Sequence, residues 1–85
     1  MTKTDCKINL KEGLHARPAS TLSKIATGFE SKIIITHKGT DFEAKSILML
    51  MSMGADKGDI VTITADGSDE KEATDKIKEF LTSDN

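Results

Sequence analysis

Polar and apolar residues alternate over positions 3–10, with Cys6, Ile8 and Leu10 on one side and Lys7 and Asn9 on the other. A period of two predicts a half-buried first strand. Lys11-Glu12-Gly13-Leu14 interrupts it as a connecting loop. From Ala16 the spacing becomes helical: Ala19, Leu22 and Ala26 share a face with Ile25 beside them, and Gly28 supplies the stop. Pro18, the only proline, suits the first turn, where a missing N–H has no intrahelical role. Residues 31–36 read as a second strand with Ile33 and Ile35 inward, and Lys38-Gly39 as a hairpin turn. A short third strand over residues 40–44 points Phe42 and Ala44 at the core. Residues 46–53 read as a short helix, capped by Ser46 and ended by Gly54. A fourth strand, residues 59–65, turns Val61, Ile63 and Ala65 inward. Asp69 with Glu72 three residues on suggests a capping box opening a last helix, whose Ala73, Ile77, Phe80 and Leu81 form one stripe. The order βαββαβα predicts an α+β open-faced sandwich, a four-stranded antiparallel sheet with three helices on one face.

Composition narrows what such a domain can do. Eighty-five residues (85 in all) make a single domain, 1–85, with a thin core. A net charge of −2 supplies no field for nucleic acid or anionic membrane, and three aromatics, Phe29, Phe42 and Phe80, offer little to stack bases on. One cysteine cannot form an internal disulfide, and the first residues have no apolar run behind them. The expectation is a cytoplasmic monomer without a signal peptide. The longest apolar stretch, residues 47–51, is far below the ~20 residues that cross a bilayer, so no membrane insertion is expected. Ser83-Asp84-Asn85 reads as a frayed end of a free chain. Two histidines and little volume argue against a self-contained enzyme with a deep pocket.

Gly13-Leu14-His15-Ala16-Arg17-Pro18-Ala19 carries the candidate chemistry. It sets an imidazole immediately before a helix start, Ala16, Arg17 and Pro18, where free N–H groups lack partners and favour an anion. Arg17 adds a planar guanidinium suited to phosphate oxygens, and neutral His15 is a usable nucleophile for a phosphoryl group. On these grounds alone, an ordinary helix start beside a solvated arginine explains the same residues.

The motif resembles the active-site signature of the HPr family, the histidine-containing phosphocarriers of the sugar phosphotransferase system. The resemblance extends over essentially the whole chain through Gly39, Lys45-Ser46-Ile47, Met51-Ser52-Met53-Gly54 and Lys57-Gly58. It implies that His15 accepts a phosphoryl group from phospho-enzyme I and passes it to enzyme IIA units of sugar permeases, with Arg17 facing the phosphate. It implies no cofactor and no metal. Ser46 is a plain N-cap by composition. By resemblance it matches the serine phosphorylated by an ATP-dependent HPr kinase/phosphorylase, which links such proteins to a catabolite-control transcription factor. Enteric members carry a serine here without that regulation.

The helix at 47–53 is apolar nearly all round, so Leu50 and Met53 are assigned to the core and Ile47, Leu48 and Met51 to an exposed patch. The resemblance makes that patch the docking surface for enzyme I and enzyme IIA, and Met49, where Gly or a polar residue is expected, enlarges it. Glu12 departs from the small polar residue expected there and should weaken phosphohistidine stabilisation, unless it turns to solvent or pairs with Lys11 or Lys24. Cys6 reads as a core residue, and His37 as a structural residue at the hairpin without a partner constellation. Two other readings compete. Regulatory paralogues act only through Ser46 and lack the active histidine that this chain has. A small acylphosphatase-like hydrolase would need a glycine-rich phosphate loop with arginine and an asparagine for water, a set the sequence lacks.

Overall fold

The computed structural model describes residues 1–83. Its elements are β1 (Thr2–Lys7), α1 (Ala16–Thr27), β2 (Lys32–His37), β3 (Thr40–Glu43), α2 (Ile47–Ser52), β4 (Ile60–Asp66) and α3 (Glu70–Thr82). The strands form one sheet in the order β1-β4-β2-β3, every neighbouring pair antiparallel. Strand β4 lies between β1 and β2: Ala65 pairs with Thr2 on one side and Ile33 on the other, and Val61 with Cys6 and His37. Three helices cover one face, giving the α+β open-faced sandwich.

The period of two explains which side is covered. Ile33 and Ile35 of β2 and Val61, Ile63 and Ala65 of β4 meet Ala19, Leu22 and Ala26 of α1, Leu50 of α2, and Ala73, Ile77 and Leu81 of α3, none more than 2% exposed. Each fully buried Leu or Ile contributes about 1.5–3 kcal/mol of transfer free energy, so this single cluster carries the fold. The opposite face is mostly polar, with Ile34 and Ile60 as exceptions: Thr62 Oγ1 donates to Asp5 at 2.7 Å and Thr36 Oγ1 to Asp41 at 2.6 Å, as suits an antiparallel sheet with one wet side. In the β2–β3 hairpin, Lys38 (φ 51°) and Gly39 (φ 81°) both take left-handed backbone, the twist that matches tight antiparallel strands.

Several boundaries differ from the sequence pattern for identifiable reasons. β1 stops at Lys7, yet Ile8 and Leu10 are buried, because the chain leaves β4 there and bonds elsewhere. The Ile8 amide donates to the Asp59 carbonyl at 2.9 Å and the Asn9 amide to that of Leu81 at 2.8 Å. His37 belongs to β2 and faces inward, not to the turn. Asp69 occupies the position before α3 but makes no side-chain cap. Its carboxylate instead accepts the Glu30 and Ser31 amides at 2.9 and 3.0 Å and the Ser31 hydroxyl at 2.5 Å, so the capping box with Glu72 does not form. That hydroxyl, then the Glu30 amide, holds the Asp69 carboxyl below its ordinary range. Ser83 ends α3 in order, its hydroxyl donating to the Phe80 carbonyl at 2.7 Å; Asp84 and Asn85 of the expected frayed end lie outside the described residues. No helix among the described residues is long and apolar enough to cross a membrane.

Candidate functional site

The loop before α1 is pressed onto the segment that follows α2. Gly13 takes φ +69°, and a Cβ there would sit 2.5 Å from the Ala55 carbonyl oxygen and 2.9 Å from Asp56 Cα. Only glycine permits both the left-handed backbone and that approach. The Leu14 amide then donates to the Ala55 carbonyl at 2.9 Å, and the Leu14 side chain is 2% exposed, which anchors the residue preceding His15.

His15 is the N-cap of α1, with extended backbone (φ −84°, ψ −168°). Its carbonyl accepts the Ala19 amide at 2.8 Å, but its side chain makes no capping bond, so the imidazole stands exposed. The amides of Ala16 and Arg17 lie ahead of the first intrahelical acceptor, and Pro18 has none to offer. The first turn carries no acidic residue, so its partial positive charge is not neutralised from within the helix. Arg17 is exposed and lines a hollow of about 290 Å³ with Leu10, Glu12, Pro18, Thr21 and Phe80. An exposed imidazole, unmatched amides and an exposed cation thus belong to one helix start, although His15 itself does not line the hollow that Arg17 lines. These groups suit an anion and its attachment to nitrogen.

Ser46 starts α2 differently: its hydroxyl accepts the Met49 amide at 3.3 Å. The preceding Lys45 is fixed to α1, with Ser23 Oγ donating to its carbonyl at 3.0 Å and its Nζ donating to the Phe29 carbonyl at 2.8 Å. Within α2 and its cap, Leu50 and Met53 are buried, whereas Ile47, Leu48 and Met51 are 39%, 77% and 47% exposed. Met49 is half-buried, at the margin of that patch.

The family model described as the PTS HPr component phosphorylation site matches residues 2–83. The chain belongs to the HPr family. It is 42% identical over 82 residues, 96% of each chain, to the phosphocarrier protein HPr of Buchnera aphidicola subsp. Baizongia pistaciae. Its fold is similar to that of the phosphocarrier protein HPr of Bacillus anthracis (TM-score 0.92, 35% identity, 94% of this chain and 95% of that one). It is also similar to HPr-C-His of Thermoanaerobacter tengcongensis (TM-score 0.91, 36% identity, 95% and 91%). As an HPr-family member it is a phosphocarrier of the phosphotransferase system.

Against that family background, one expectation is answered and one arrangement went unread in the sequence. Glu12 lines the same hollow as Arg17 and, among the described residues, forms no salt bridge with Lys11 or Lys24. His37 does have a partner: its Nε2 lies 2.9 Å from Asp59 Oδ2. The signal was present, since His37 continues the inward series Ile33, Ile35 and an acid stands where β4 begins. Cys6 is buried as expected, and burial pushes its thiol pKa up.

Proposed function

We propose that residues 1–85 act as a single phosphocarrier domain in which His15 accepts a phosphoryl group from phospho-enzyme I and delivers it to enzyme IIA units for sugar uptake. A ring nitrogen of His15 forms the N–P bond as the bond to enzyme I breaks, and the reverse exchange passes the group on. Arg17 and the free amides of the α1 start neutralise the phosphate oxygens. The chain is a carrier and not an enzyme on its own, because the partners supply the rest of the charge stabilisation in the transition state. The carrying observation is the uncapped helix start with an exposed imidazole and arginine, in a chain that matches the HPr family over residues 2–83.

Ile47, Leu48 and Met51 form the docking surface in this reading. Their exposure on a helix packed against α1, which His15 begins, supports a partner that covers patch and histidine together. The domain works as a cytoplasmic monomer without direct nucleic-acid binding. Ser46 is proposed as a regulatory site for an HPr kinase/phosphorylase, linked to a catabolite-control transcription factor. A phosphate there suits a helix start and sets negative charge beside Ile47 and Leu48, opposing approach of phospho-enzyme I.

Incubation with phosphoenolpyruvate and enzyme I, and separately with ATP and the kinase, tests both parts. The carrier role requires an acid-labile phosphate that His15→Ala abolishes; an unlabelled parent protein sinks it. The regulatory role requires an acid-stable phosphate lost in Ser46→Ala.

A further inference from the structure

His37 closes β2 on the helix-covered side of the sheet and is 5% exposed. Its Nε2 contacts Asp59 Oδ2 at 2.9 Å, and the same oxygen accepts the Asp56 amide at 3.0 Å. A carboxylate offers only acceptors, so Nε2 is the ring nitrogen that carries hydrogen. The Asp56 amide first, and His37 second, hold the Asp59 carboxyl below its ordinary range, which keeps it an anion.

The turn closed by this contact is the one against which the phosphate-accepting loop rests. Ala55, just before Asp56, receives the Leu14 amide at 2.9 Å and is the atom group that Gly13 approaches too closely for any Cβ. The turn is also tied to the exit from β1: the Gly58 amide donates to the Ile8 carbonyl at 2.7 Å, and the Ile8 amide to that of Asp59 at 2.9 Å. Those bonds join loop to loop. His37 alone in this set sits in β2, a strand held on both edges by β3 and β4. It therefore references the turn, and through Ala55 and Leu14 the histidine next in sequence, to the rigid sheet.

We propose that His37 and Asp59 are positioning residues for phosphoryl acceptance, holding residues 55–59 against Gly13 and Leu14 and thereby fixing where His15 stands at the start of α1. The proposal rests on the reading of His15 as acceptor. Phosphoryl transfer between two proteins depends on alignment of attacking and leaving atoms, and a displacement of about 1 Å can cost about 100-fold. The loop is seated on Ala55 through Leu14 and Gly13, so a polar contact that holds residues 55–59 in place acts on the position of His15, and hence on rate, and not on docking.

The test compares Asp59→Ala, His37→Phe and His37→Gln with Asp69→Ala, which removes another carboxylate clasp beyond the other end of β4. Phosphorylation from phosphoenolpyruvate through enzyme I is measured against carrier concentration. The ¹H–¹⁵N resonances of the His15 ring and the Leu14 amide are recorded without partners. Asp59→Ala and His37→Phe should lower kcat about tenfold with KM unchanged, and should move both resonances. His37→Gln, which keeps a donor, should retain most of the parental kcat. Asp69→Ala should lower the melting temperature and leave kcat and the His15 resonances alone. Parental resonances and kcat in folded Asp59→Ala and His37→Phe would overturn the positioning role, and so would an equal loss of kcat in Asp69→Ala. A parent protein that takes no phosphate overturns the acceptor reading instead, which the resonances of the free protein distinguish.

Discussion

Two helix starts in this small protein are built in opposite ways. At α2 the Ser46 hydroxyl accepts the Met49 amide, and the residue before it is fastened to α1 through Ser23 and Phe29. At α1 the N-cap is His15, which supplies no side-chain acceptor at all. A good cap stabilises a helix by about 1 kcal/mol, so α1 forgoes that contribution at its first residue. The difference teaches what the proposed carrier site requires. The Ser46 cap occupies one amide of its first turn, whereas the α1 start spends none of its amides on a side chain and is less stable but open to an anion. The open start is tolerated because Leu14, locked under Ala55, and the buried stripe Ala19, Leu22 and Ala26 hold the helix from either side.

The sharpest way to break this contrast is to give α1 a cap. His15→Ser should eliminate the acid-labile phosphate entirely while raising unfolding free energy by about 1 kcal/mol in urea titrations. A variant no more stable than the parent would show that the start is not open for want of an acceptor. Ser46→Ala removes the cap from α2 and should cost about 1 kcal/mol, with the rate of phosphorylation through enzyme I unaltered. A matching fall in that rate would mean the two starts do not work independently. The smallest effect concerns Glu12, whose carboxylate shares a hollow with Arg17, the cation proposed to face the phosphate. Glu12→Ser should lengthen the half-life of the phosphohistidine about twofold, the scale of one exposed charge pair. Hydrolysis no slower than in the parent counts against the repulsion.

How far the sequence was legible depends on what kind of force set each residue. Inward positions set by apolar periodicity were readable, as with β4, where Val61, Ile63 and Ala65 are inward as the alternation predicts, although β1 ends three residues before the alternation does. The buried and exposed sides of α2 were also readable, because a helix covering a sheet can bury only part of its circumference. Polar partners chosen across the fold were not. Asp69 has the local look of a cap, yet residues 30 and 31 offer it two amides and a hydroxyl that sequence spacing cannot reveal. His37 was misread for the same reason, since Asp59 meets it only once β2 and β4 are paired. At the site, the position of His15 before α1 followed from local pattern, whereas the seat beneath it depends on Ala55, forty residues away in a different part of the chain (residue 55 against residue 15).

The placement of β4 in the sheet also fixes when the protein can become itself. β1 is made before β4, its one neighbour in the sheet among the described residues, so Thr2 must wait for Ala65 and Lys7 for Ile60. Contacts of such long sequence separation are slow to form, because the loop between them must be ordered before they repay it. A chain emerging from the ribosome can make the β2–β3 hairpin early, but its sheet has no middle until β4 appears. The bond from Leu14 to Ala55 is under the same delay. A chain that has not yet reached Ala55 and β4 therefore presents His15 on an unplaced loop, and the carrier fold comes into being only once both have been made.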